Sequence, residues 1–489
     1  MSIRLNRRRF LQASSAAGLG YFFTGPAFSV AKAQGANDRL RVAGIGIGGK
    51  GSSDIDHCAL LGEVVALCDI DEKFLGSKLN QKGLNAGPKG DMTQHYLKAE
   101  RFFDFRKLLE APIAKNIDAV TVSTPDHTHA LAAAMAIRMG KHAYVQKPLT
   151  RTVFEAHLLK KLAGQHKVCT QMGNQGTAEN GLRRAVELIQ AGTLGPITEA
   201  HVWTNRPVWP QAPSVTAKPK EVPTPKHIHW DEFIGPAPMR PYAEYDPSVP
   251  NRYGNRLGAY HDFHWRGWWD FGTGAIGDMA CHTANMAFMA LKLGSPVHMA
   301  AEAGDVNPET CVSWAHVTMK FPVRGDMPAC TLHWYEGKRD SKKVLPPEPL
   351  VAKALKISGQ KALVASGSIL VGEKGIAYSP DDYGGQVFFE TGEKTNKDTK
   401  PEKLPGNGDG DPGQKKEWVD AIKANKPKMA LSNFDYASLL TAAFVLGNVA
   451  IRTGKAFDFD GETLECKGCP EAAQYVKAEY RKGWDMLEG

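Results

Sequence analysis

The chain has 489 residues, 42% of them hydrophobic and 23% charged, with a formal net charge of +8. Positions 1–33 hold five basic residues and no acidic ones, which leaves only +3 of that +8 on the remaining 456 residues. A surplus concentrated at one end gives no extended basic surface, which argues against nucleic acid as a partner.

The N-terminus reads as a targeting segment. Arg4, Arg7, Arg8 and Arg9 precede an apolar stretch from Phe10 to Phe23, and Ala31-Lys32-Ala33 offers a small-residue cleavage site. Serines and glycines make the stretch too weak for a spanning helix, which needs about 20 strongly apolar residues. Asn6-Arg7-Arg8-Arg9-Phe10-Leu11-Gln12 resembles the twin-arginine export pattern; an ordinary secretory signal or an uncleaved anchor is the alternative. Residues 1–33 are therefore expected to be a signal peptide read by the twin-arginine export machinery, and the mature protein to be periplasmic. No other segment reads as a membrane span. The 456 residues left are enough for two cores, hence two domains.

Residues 34–172 alternate short β-rich runs with helical ones. Arg41–Ile45, Val64–Cys68, Ala119–Ser123, Ala143–Val145 and Val168–Gln171 read as strands, and His129–Arg138 reads as a helix closed by Gly140. This is the pattern of a doubly wound parallel α/β sheet, a Rossmann domain. The first strand runs into Gly46-Ile47-Gly48-Gly49-Lys50-Gly51 and a helix, which is G-x-G-x-x-G in its required context. Gly46 permits the tight turn, Gly48 lets backbone approach a pyrophosphate, and Gly51 allows close helix–strand packing; Gly49 completes the turn. Free N–H groups at the helix start then favour the phosphates. The run Val64–Cys68 ends in Asp69, about 20 residues on, where a carboxylate accepts from ribose hydroxyls and repels a 2′-phosphate. Ile70-Asp71-Glu72 supplies no arginine, so NAD is expected rather than NADP.

From residue 173 to 489 glycines, prolines and aromatics increase. Thr198–Thr204, Val312–Phe321 and Cys330–Tyr335 read as longer, alternating strands, and Gln414–Ala424 and Tyr436–Gly454 as helices. Arg206–His229, Lys338–Pro349 and Thr391–Lys416 read as surface loops. This fits an α+β domain with a large open, mostly antiparallel sheet. Eight cysteines are scattered, with Cys466 and Cys469 the only close pair; a lone C-x-x-C reads as structural.

Two further segments extend the match. Val122-Ser123-Thr124-Pro125-Asp126-His127-Thr128-His129 opens a helix after a strand, and Ala143-Tyr144-Val145-Gln146-Lys147-Pro148-Leu149 ends the next. With the glycine turn and Gly272-Thr273-Gly274-Ala275-Ile276-Gly277-Asp278-Met279-Ala280-Cys281-His282, they resemble the Gfo/Idh/MocA oxidoreductase family over the whole mature chain. The resemblance implies that Thr124, Pro125, Asp126, His129, Gln146 and Lys147 border the cofactor. It implies that Lys147 stabilises charge on the reacting oxygen and that His282 removes the hydroxyl proton. Asp278, four residues before His282 and on the same helix face, would position substrate or orient the ring. The family has Glu-Lys-Pro where this chain has Gln146-Lys147-Pro148, which removes a negative neighbour of Lys147.

His264, Trp265 and Arg266 are candidate substrate contacts, within a segment holding six of the ten tryptophans: Trp203, Trp209, Trp230, Trp265, Trp268 and Trp269. Aromatic faces stack on sugar C–H surfaces, and the resemblance favours sugars and polyols. Ligand type alone would also allow a metal at His261, His264, Asp278 and His282, but redox by hydride makes a metal unnecessary, and none is expected. The expected activity is hydride transfer between NAD and a sugar or polyol carbon in a homo-oligomer. A redox-neutral glycoside hydrolase using transient oxidation is the alternative, and a non-catalytic sugar-binding module a third reading.

Overall fold

The structure, a computed structural model, describes residues 39–80, 90–249 and 258–487. The signal-peptide segment 1–33 lies outside the described residues.

Six strands form the first sheet: β1 (Leu40–Ile45), β2 (Gly62–Cys68), β3 (Glu100–Phe102), β4 (Ala119–Val122), β5 (His142–Val145) and β6 (Thr170–Met172). All pairs are parallel, in the order β3-β2-β1-β4-β5-β6. Strands such as β1 and β4 are buried along nearly their whole length because helices cover both faces. Helices α1 (Gly49–Leu61), α2 (Glu72–Asn80), α3 (Asp126–Arg138) and α4 (Val153–His166) belong to this layer. The start of α4 is fixed by a capping box, in which Thr152 and Glu155 satisfy each other's backbone N–H.

The second sheet has eleven strands, the first of them in chain order being β7 (Ile197–Trp203). A small hairpin, β8 (Lys220–Glu221) with β9 (Ala243–Glu244), lies apart from it. Helix α5 (Gly274–Thr283) follows, then β10 (His298–Gly304), β11 (Trp314–Phe321), β12 (Cys330–Arg339) and β13 (Lys342–Lys343). After helix α6 (Glu348–Ser358) come β14 (Gly367–Gly372), β15 (Gly375–Ser379), β16 (Val387–Phe389) and β17 (Lys394–Thr395). Helices α7 (Gly410–Lys423) and α8 (Phe434–Thr453) precede β18 (Phe457–Asp460) and β19 (Glu465–Lys467). The order is β17-β16-β15-β14-β7-β12-β11-β10-β18-β19, with β13 on β12 and only β7–β12 parallel. Burial alternates along β11 because one face of the sheet meets the core and the other does not.

One apolar cluster runs from Ile45, Val122 and Val145 through Leu440 and Phe444 to Val317 and Trp334. Separate clusters form around Val42 and Trp418, around Phe233 and Trp268, and around Trp203 and Tyr378. Three readings need correction. Helix α8 joins the layers: it is 20 residues long with a mean hydropathy of 1.5, so it does pass the composition test for a membrane span. It is buried along most of its length, as a core helix with apolar residues on all sides should be. The loops read at Lys338–Pro349 and Thr391–Lys416 contain the β12–β13 hairpin, β17 and the first turn of α7. These short elements are held by pairing to distant strands, which local composition does not report. The strand read at Val168–Gln171 is shifted to Thr170–Met172.

Candidate active site

The glycine turn sits where the strand order reverses, between β1 and β4, at the carboxyl edge of the parallel sheet. Gly46 has φ of +74°, and a Cβ there would stand 2.8 Å from the backbone of Ser123 and Thr124. A Cβ on Gly51 would strike the Gly46 carbonyl oxygen. Gly46, Gly48 and Gly49 line a cavity of about 520 Å³ together with Asp69, Thr124, Pro125, Gln146 and Lys147. Asp69 binds the turn itself: Oδ2 accepts from the Ile47 and Gly48 N–H groups at 2.7 and 3.1 Å, and Oδ1 from that of Asp71 at 3.0 Å. Burial raises its carboxyl above the usual range. A helix start, a backbone cradle too tight for side chains and a facing carboxylate fit a nicotinamide dinucleotide.

Asp126 and His129 stand behind this wall rather than in it. Asp126 accepts from Thr273 Oγ1 at 2.6 Å, and burial pushes its carboxyl up to about 7. His129 lies within hydrogen-bond distance of the Thr124 carbonyl (2.8 Å) and the Pro148 carbonyl (2.9 Å), and burial pushes it down to about 4. It ties the β4 loop to the β5 loop.

Lys147, Asp278 and His282 come together at one end of the cavity. Lys147 Nζ donates to both the carbonyl oxygen and Oδ1 of Asp278, at 2.7 Å each. Arg266 Nε lies 3.4 Å from the same Oδ1. Burial alone would raise the Asp278 carboxyl, but the charges of Lys147 and Arg266 hold it well below the usual range. Asp278 therefore spends its carboxylate on these cations and not on the His282 ring. His282 is buried, its Nδ1 has no hydrogen-bond partner, and it meets the Tyr383 ring edge-on at 5.2 Å. Burial first, then the Lys147 charge, pushes it down to about 3, so the imidazole is neutral.

Below the glycine turn lies an ionic cluster that sequence reading missed. Asp54, fully buried on α1, faces Lys50 at 2.7 Å and Lys415 of α7 at 2.6 Å. Asp411 binds the same two lysines. Asp54 Oδ2 also accepts from Ser123 Oγ at 2.9 Å and Gln146 Nε2 at 2.6 Å. Gln146 thus gives Asp54 an amide donor where a second carboxylate would repel it. The helical spacing of Lys50 and Asp54 was the available signal; Lys415, far along the chain, gave none.

Phe233, His261, Phe263 and Trp265 complete the lining of the cavity. The backbone before them bonds the loop after β2 through the His229 N–H to the Ile70 carbonyl (2.9 Å) and the Glu72 N–H to the His227 carbonyl (3.0 Å). His227 and His261 both reach Asp71, at 2.9 and 3.0 Å. Of the three proposed substrate contacts, Trp265 and Arg266 line the cavity. His264 does not; it is fully buried, with Nδ1 2.8 Å from the Gly258 carbonyl. The tryptophans form no common platform: Trp203 packs with Tyr378, and Trp268 with Tyr260. Among the described residues no three metal-ligating side chains converge, and Cys466 and Cys469 are separate buried thiols.

Family models describing an oxidoreductase NAD-binding Rossmann fold and an oxidoreductase C-terminal α/β domain match residues 40–174 and 187–327, together more than half of the chain. A glycosyl hydrolase family 109 protein of Shewanella pealeana is 29% identical over 213 residues, covering 40% of this chain and 45% of its own length. The match thus spans less than half of that relative. An aldose-aldose oxidoreductase from Caulobacter crescentus complexed with glycerol has a TM-score of 0.53 at 14% identity, covering 86% of this chain and 100% of that one. An inositol dehydrogenase homologue from Azotobacter vinelandii complexed with NADH and myo-inositol also has a TM-score of 0.53 at 14% identity, covering 86% and 98%. The chain belongs to the Gfo/Idh/MocA oxidoreductase family.

Proposed function

We propose that the protein transfers hydride between a retained NAD and a hydroxyl-bearing carbon of a sugar or polyol. The observation that carries this reading is the meeting of Lys147, Asp278 and a neutral His282 at one end of a cavity whose other end fits a dinucleotide. NAD, when bound, supplies the hydride acceptor; Gly46, Gly48 and Gly49 would hold its pyrophosphate, with Gly51 letting the helix pack against the turn, and Asp69 its ribose. Neutral His282 takes the substrate hydroxyl proton. The Lys147 ammonium, held by Asp278, faces the negative charge that develops on the oxygen. The apolar faces of Phe233, Phe263 and Trp265 in the cavity lining would limit water beside the reacting carbon.

A second reading is favoured by the similarity to family 109 glycosyl hydrolases. There the same residues would serve a transient oxidation, elimination, hydration and reduction, whose net reaction is hydrolysis with one water consumed. Both readings predict that acid treatment of the purified protein releases NAD and not NADP; a majority of NADP would overturn the role given to Asp69. Net NADH formed with sugars supports the first reading, and cleavage of nitrophenyl glycosides without net NADH the second. Neither activity with any sugar, polyol or glycoside would overturn both.

Export of a folded, cofactor-loaded protein suits the twin-arginine reading, since a retained cofactor must be bound before leaving the cytoplasm. Changing Arg7 and Arg8 to Lys keeps their charge and is expected to leave the precursor unprocessed inside the cell. Normal processing and export of that variant, assayed by fractionation, would refute it.

A further inference from the structure

The reacting end of the cavity holds one more positive charge than its carboxylate balances. Lys147 and Asp278 already form a close pair at 2.7 Å. Arg266 brings a second cation to the same carboxylate oxygen at 3.4 Å, beyond a short hydrogen bond. Its guanidinium is also fixed in place. The central carbon lies 4.2 Å from the Trp265 ring centre and 4.3 Å from that of Phe263, and Nη1 donates to the Phe263 carbonyl at 3.0 Å. All three side chains line the cavity.

The remaining acids offset this charge only in part. Asp69, Glu232 and Asp262 also line the cavity, but Glu232 acts on Cys68 and Asp262 on Tyr242 beside Asp71, at the end expected to hold the ribose. Asp126, bound to Thr273 behind the wall, feels both Lys147 and Arg266, but burial pushes its carboxyl up to about 7, which weakens it as a counter-charge. Arg206 is felt by Asp278, His282 and Tyr383, although Asp382 opposes it at Tyr383. An ordered guanidinium between aromatic faces has lost its rotamer freedom before any ligand arrives, and its planar donors match a carboxylate. A neutral sugar leaves that charge uncompensated.

Resting on the proposed oxidoreductase function, we propose that the substrate is an acidic sugar whose carboxylate pairs with Arg266 while its reacting hydroxyl meets Lys147 and His282. The test uses the full chain with its co-purified dinucleotide. Glucuronate is compared with glucose, galacturonate with galactose, and 4-nitrophenyl glucuronide with the corresponding glucoside. Reduced nicotinamide is read by absorbance after rapid mixing, and nitrophenolate release alongside it. At sub-saturating concentration the carboxylated member of a matching pair is expected to react about 10–100-fold faster, as a charge-assisted pair allows. In Arg266→Gln this ratio should fall to about one, and Arg266→Lys, which keeps the charge without the fork, should retain part of it. The wild-type ratio decides the matter whatever the stability of the variants. Reaction of neutral sugars with no gain for their acids overturns this proposal and leaves the oxidoreductase reading standing. No reaction from either set overturns both.

Discussion

Lys147→Met and His282→Ala are each expected to lower turnover by about 10²–10⁴-fold, the range associated with losing a positioned proton acceptor or an oxyanion partner. Lys147 is anchored on Asp278 at the carboxyl edge of β5, where doubly wound folds bind their ligands. His282 projects from α5 of the other layer into the same cavity. Both variants should stay folded and keep their dinucleotide, because neither side chain forms part of the glycine cradle. The pH profile gives an independent check. Burial and the Lys147 charge push His282 down to about 3, so its neutral form is present above that pH and is lost only as pH falls towards it. The wild-type rate should therefore show no loss near pH 6.5 from this ring, unlike a solvent-exposed histidine. Thermal midpoint, bound NAD and single-turnover hydride transfer would be compared for each variant. Normal hydride transfer in His282→Ala would refute its role as base.

Lys415→Met should be the most damaging single change for stability, at about 3–5 kcal/mol, because it strands buried charge. Lys415 is fully buried between Asp54, at 2.6 Å, and Asp411. Asp54 would keep only the half-exposed Lys50 as a counter-charge. Asp54 also holds Ser123 and Gln146, which end β4 and β5 beside the cavity, so the variant should lose dinucleotide as well. The pair Asp54→Asn with Lys415→Met should cost less than the sum of the two single changes, since the stranded charge is removed with its partner. Denaturant midpoints and bound nucleotide measure both effects. A Lys415→Met protein with the wild-type midpoint would show that the cluster contributes nothing to stability.

Much of the cradle was legible because its signals are local. A strand, three spaced glycines and a carboxylate about 20 residues later are all set by backbone geometry within one βαβ unit, and the structure puts Gly46, Gly51 and Asp69 where that geometry requires. Asp278 and His282 could be placed on one face of a helix from their spacing alone. Other details were legible only in part. Asp126 and His129 were read as cofactor contacts, yet their polar atoms face backbone and Thr273 behind the wall. His264 carries the right chemistry for a sugar contact, but it points at the Gly258 carbonyl.

By itself the sequence determined the doubly wound sheet, the site of the glycine turn and the residue types of the candidate site. These follow from periodicity, turn chemistry and motif spacing, which act over a few residues. Only the tertiary structure decided what the side chains meet across long separations. It set Asp278 on Lys147 and Arg266 rather than on His282, and it matched Gln146 to the buried Asp54. It placed Lys415 of α7 beneath a turn some 360 residues earlier, as the 361-residue separation of Lys50 and Asp411 in the same cluster shows. It also ran one apolar cluster across both sheets through α8, whose composition is equally that of a membrane span. The physical reason is the same in each case: a buried charge or apolar face is stabilised only by the partner that packing brings to it, and that partner is not encoded near it in the chain.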